Sequence, residues 1–130
     1  MRVERAVLDL SALAAFLGLI PLDPPEVDTA IGLDATLLDL VELLRTYHDG
    51  RAHDVYGDVV SVSLLVDRWE PVTSLLSSIV DMTCRHPDLP IADAAVLALA
   101  LATKLPIITG LAELVGADPN VAVLVLARRP

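Results

Sequence analysis

Apolar residues run along this chain in blocks, each closed by proline, glycine or charge. Val3–Leu8 reads as a short strand that ends at Asp9, and Ser11 is a plausible N-cap for a helix running to about Leu19. Pro21, Pro24 and Pro25 then make a stiff break. From Asp34 to Tyr47, Leu37, Leu40, Val41 and Leu44 fall at i, i+3, i+4 and i+7, a helical stripe closed by His48-Asp49-Gly50. Asp58–Val66 (DVVSVSLLV) is β-branched and partly alternating, which predicts a strand. A helix follows from about Glu70 to Cys84, with Pro71 tolerated in its first turn. After Pro87 and Pro90, Ile91–Thr103 is an Ala- and Leu-rich helix too uniformly apolar for a surface element. Leu105–Thr109 reads as a buried strand that turns out at Gly110, and Val121–Leu126 as a last strand, apolar on both faces.

Apolar strands alternating with helices predict a three-layer α/β/α fold, a mostly parallel sheet covered on both faces. In such sheets functional groups gather at the carboxyl ends of the strands, where Asp9 and Thr109 are placed. The 130 residues suit one domain spanning 1–130, with no repeat or low-complexity segment.

Composition narrows the chemistry. With 55% hydrophobic residues the chain is not a disordered one, and with 3% aromatics it offers no base-stacking platform. A single cysteine, Cys84, excludes an intrachain disulfide and a cysteine-based zinc cluster, and fits a reducing cytoplasm. Glu4 and Asp9 interrupt the first apolar stretch, so no secretory signal is expected; the longest uncharged apolar run, Ala94–Ala102, falls far short of the roughly 20 residues of a membrane span. The net charge of −9 points to a basic partner and makes any nucleic-acid binding local and metal-assisted.

Three aspartates, Asp9, Asp39 and Asp93, stand where apolar segments hand over to helices. Brought together they repel one another and call for a divalent cation, typically Mg²⁺ with oxygen ligands and retained waters. Each has a structural alternative: Asp9 and Asp93 as helix caps, Asp39 with Glu42 as a solvated helix face. His48, His53 and His86 lack metal-ligand spacing and read as surface, Trp69 as packing and Asp118 before Pro119 as a turn residue. There is no glycine-rich phosphate loop, GxSxG or HExxH.

In order and spacing these segments resemble the PIN-domain nucleases, in particular the short VapC-type toxins of toxin–antitoxin pairs. AVLDLSALAAFL is similar to the family's opening strand, with Asp9 and, two residues on, Ser11. ATLLDLVELL resembles its second acidic segment, with Thr36, Asp39 and Leu40; LPIADAAVLALALATKLPIITG matches an aspartate-led, Ala-rich helix followed by a strand ending in Thr-Gly. The resemblance implies an RNA-cleaving enzyme in which Asp9 and Asp93 hold Mg²⁺ or Mn²⁺, Asp39 or Glu42 completes the cluster, and Thr109 and Ser11 orient a carboxylate or water. It also implies an antitoxin whose basic segment covers the acidic groove, and a homodimer. Two departures stand out: Asp39 replaces the usual Glu, with Glu42 one turn further, and Leu111 follows Thr-Gly where a fourth acid is common, while Glu113 and Asp118 match only with a shift. A PIN-like binding module without turnover is therefore the competing reading. A phospho-acceptor receiver domain ranks last, because only Asp9 stands at the first strand and Lys104 precedes its strand.

Overall fold

The computed structural model describes residues 2–130. Its strands are β1 (Val3–Leu8), β2 (Val27–Leu33), β3 (Val66–Glu70), β4 (Ile107–Thr109) and β5 (Val123–Val125). Its α-helices are α1 (Leu10–Phe16), α2 (Asp34–Tyr47), α3 (Ala52–Leu65), α4 (Leu76–Arg85) and α5 (Ile91–Thr103), with 3₁₀ turns at Val72–Leu75 and Ala112–Leu114. The strands form one sheet in the order β3-β2-β1-β4-β5, and every pairing between them is parallel. Val7 of β1 stands beside Ile31 on one side and Ile107 on the other.

Alternation along the strands supplies two cores. Ala6, Leu8, Ala30 and Ile108 pack against α1, α2 and α3 through Leu13, Leu40, Leu44 and Val62. Val7, Ile31, Leu33 and Ile107 face the opposite way, against α4 and α5. The buried run Ala94–Ala100 makes α5 a helix enclosed almost all round, as its uniform hydrophobicity predicts. The chain builds outward from β1 to β3, then returns to lay β4 and β5 on the other side of β1. The order therefore reverses between β1 and β4, and a crevice opens beyond their carboxyl ends at such a reversal.

The strand expected over 58–66 is the second half of α3. Val55, Val59 and Val62 recur at helical spacing and turn inward, whereas Leu64 is 83% exposed. Ser61 and Ser63 satisfy their hydroxyls within the helix, donating to the carbonyls of Gly57 and Val59. The propensity cost of β-branched residues in a helix is tenths of a kcal/mol each, and burial of one apolar face exceeds it. The strand positions are filled instead by 27–33 and 66–70, neither expected as strands. In β2, Asp28, Thr29 and Gly32 break the apolar run, and Gly32 is there for close approach: an added Cβ would lie 2.7 Å from the Trp69 ring. β3 is an edge strand with Val66 its only buried residue, and charged side chains guard such edges. The helix expected over 70–84 is divided between the 3₁₀ turn and α4. The last two strands, expected over 105–109 and 121–126, are shorter, at 107–109 and 123–125.

Candidate functional site

Asp9 leaves β1 in extended conformation and is itself the N-cap of α1, in place of the Ser11 expected from sequence; α1 also ends earlier, at Phe16. Its Oδ1 accepts the Ala12 N–H at 2.9 Å and the Ser11 hydroxyl at 2.7 Å. Its Oδ2 accepts the hydroxyl of Thr109 at the end of β4. The Thr109 hydroxyl receives the Leu111 N–H at 2.9 Å, and the Ser11 hydroxyl receives the Gly110 N–H at 2.7 Å. Each hydroxyl has one proton and gives it to Asp9. The carboxylate, 3% exposed, is thus fixed across the β1–β4 crevice with a lone pair of Oδ2 left over. Gly110 is glycine for space: a Cβ there would lie 2.6 Å from Leu22 Cδ1 and 3.3 Å from Ser11 Cβ and Oγ.

Asp9, Ser11, Thr36, Asp39, Asp93 and Leu111 line one cavity of about 370 Å³, whose remaining walls are largely aliphatic, among them Ile20, Leu43 and Val96. Asp39 comes from α2 and Asp93 from the first turn of α5, where the helix dipole favours a carboxylate. Glu42, a turn beyond Asp39, is exposed and outside the lining. Hollows of about 410 and 420 Å³ lie elsewhere, one with Asp23 and Glu26, the other apolar around Tyr56 with Arg45; neither contains the strand-end carboxylate network.

Partial burial, then the charges of Asp9 and Glu113, push the Asp93 carboxyl above the usual aspartate range. Glu113 sits on the 3₁₀ turn two residues past Leu111, so it brings negative charge towards the site by a short shift along the chain. Its signal was present in the sequence, but the turn geometry that makes the shift effective was not. Thr36, buried on α2, adds a polar wall residue. Among the described residues no lysine, arginine or histidine lines the cavity. Among the described residues no three His, Cys, Asp or Glu side chains are spaced to hold a metal ion. The donors are hard oxygens, one with a spare lone pair and another whose charge lacks compensation. That set fits a cation such as Mg²⁺, held by one or two carboxylates with water completing the shell, and not an all-protein cage.

This architecture is the PIN-domain fold of VapC-type toxins. It is similar to VapBC2 from Rickettsia felis, solved bound to a DNA fragment from its promoter, with a TM-score of 0.69 and 10% identity over 92% of this chain and 97% of that one. It is also similar to VapBC-5 from Mycobacterium tuberculosis, a toxin–antitoxin system, with a TM-score of 0.62 and 21% identity over 95% and 98% of the two chains. A third relative in fold is PAE2754 from Pyrobaculum aerophilum, with a TM-score of 0.60 and 18% identity over 95% and 90%. No protein-family model matches the chain, and no curated protein matches it in sequence.

Proposed function

We propose that this protein is a metal-dependent ribonuclease of the toxin type, held in check by a partner with a basic segment. The observation that carries the reading is the cavity at the β1–β4 crevice, lined by Asp9, Asp39 and Asp93, with Asp9 held by Ser11 and Thr109. Asp9 and Asp93 would hold Mg²⁺ or Mn²⁺, and Asp39 would complete the set through water. When bound, the cation offsets the repulsion among the carboxylates and the charge developing on a phosphodiester oxygen. The protein's own groups do the positioning. The Thr109 and Ser11 hydroxyls fix the Asp9 carboxylate and leave Oδ2 with a spare lone pair. Asp93 keeps a proton to higher pH than a free aspartate until a cation replaces it. Since no cationic side chain lines the cavity, backbone phosphates are met through the metal alone. A chain of net charge −9 suits a basic antitoxin segment, the single Cys84 suits a reducing cytoplasm, and a homodimer would cover exposed apolar residues such as Leu38, Tyr56 and Leu64.

Two observations favour a second reading, a binding module without turnover: Leu111 occupies the wall where a further acid would complete the cluster, and no three acids are spaced for a metal among the described residues. Incubating the protein with RNA in millimolar Mg²⁺ or Mn²⁺, with chelator and Asp93→Asn controls, separates the two. Cleavage lost in both controls supports the nuclease. Absent cleavage overturns it in favour of the binding module, and cleavage equal in the parent and Asp93→Asn overturns the assignment of this cavity as the active site.

A further inference from the structure

Away from the cavity, two buried polar atoms lack a hydrogen-bond partner among the described residues: Nε2 of His86, just past α4, and Oδ2 of Asp118. They stand 3.8 Å apart. Arg85 Nη1 is 3.6 Å from the same carboxylate oxygen. The Asp118 side chain is 1% exposed, and its other oxygen accepts the Asn120 N–H at 2.9 Å, closing the turn around Pro119. A carboxylate removed from water requires its charge to be met. Arg85 meets it only in part, since its Nε lies 3.1 Å from the exposed Asp81 one turn back.

The stretch holding Asp118 leads out of β4 and carries Leu111, in the cavity wall, and Glu113, whose charge reaches Asp93. Its other buried anchors are Leu114 and Val121. A tie at Asp118 therefore fixes this rim of the cavity to the end of α4.

We propose that His86, Arg85 and the buried Asp118 form an ionic latch that closes when His86 takes up a proton, clamping the 110–121 turn to the end of α4. An imidazolium turns an N–H towards Oδ2, and a movement of about 1 Å brings the pair to charge-assisted hydrogen-bond distance. Histidine is the side chain whose charge ordinarily changes between about pH 5 and 8. The other charges near it are Arg85 and Asp81 on α4 and Asp88 in the following turn; the 3₁₀ turn 72–75 carries none, and α5 carries only Asp93 in its first turn. The latch stabilises the native state only while it is closed, so its contribution belongs to the acid end of the range.

The test compares the parent with His86→Gln by thermal melting between about pH 5.5 and 8, and by hydrogen exchange of residues 110–121 corrected for intrinsic pH dependence. His48 and His53 remain in both proteins, so the difference isolates His86. The parent should melt a few degrees above the variant at the acid end, with the gap closing at the alkaline end. Protection of the turn should rise on acidification in the parent alone. Asp118→Asn, which keeps the shape and removes the charge, should behave like His86→Gln. Identical pH profiles for parent and His86→Gln, or a retained pH-dependent gap in Asp118→Asn, would overturn the latch.

Discussion

Asp93 is where charge and packing conflict most directly. Its carboxyl is raised by burial and by Asp9 and Glu113, so its ionised form is disfavoured in the folded state. The native state therefore holds this proton more tightly than the unfolded chain. The associated stability is present below the ordinary aspartate range and is lost as the pH climbs through the raised value. Asp93→Asn removes the charge at nearly constant shape. Its melting temperature should equal or exceed that of the parent at neutral pH without metal, with the gap shrinking towards about pH 4, as melts across that range would reveal. Gly110→Ala presses on a movable Leu22 methyl and on the less movable Ser11, which donates to Asp9. It should cost about 1 kcal/mol, read from the denaturant midpoint, and lower any cleavage more than it lowers stability. Leu111→Asp adds a carboxylate to the wall. It should lower the metal-free melting point and enlarge the rise produced by Mg²⁺; an unchanged response would show that position 111 does not face the cation.

At the scale of elements, α3 provides the sharpest contrast. In a strand Val62 and Leu64 would share a face; in the helix Val62 is fully buried while Leu64 projects into solvent. Val62→Ala should cost about 2 kcal/mol, and Leu64→Ser should stay within about 0.5 kcal/mol, both measured by denaturant unfolding. Equal penalties would contradict the helix. β1, α2 and α5 were legible to the residue because each combines a long period-true apolar pattern with a proline, glycine or acidic boundary. β2 and β3 were not, since their stability comes from neighbours. Gly32 makes sense only with the Trp69 ring against it, and Asp67 only where its carboxylate accepts the Ala30 N–H at 2.8 Å beside a register break. The same division holds for the cavity. Asp9, Asp39, Asp93 and Thr109 could be named from strand ends and helix starts, but the Ser11–Asp9–Thr109 network and the reach of Glu113 depend on segments distant in the chain.

For the whole molecule, a net charge of −9 with carboxylates lining one crevice leads, on the metal-dependent reading, to stabilisation by divalent cations. Millimolar Mg²⁺ should raise the melting temperature of the parent more than that of Asp93→Asn. Tenfold excess over the dissociation constant adds about 1.4 kcal/mol. Equal shifts in the two proteins would indicate screening instead of binding. The strand order has a further result, in time and not in space. β1 to β3 can pair as they emerge during synthesis, yet the face bearing Val7, Ile31 and Leu33 stays bare until α5 covers it. Thr109, which fixes Asp9, lies 100 residues further along the chain. Contacts at such separation form late, because the intervening loop must close first. A nascent chain still lacking β4 therefore has an unassembled crevice. On the nuclease reading, the chain carries no assembled site until β4 (Ile107–Thr109) has joined β1.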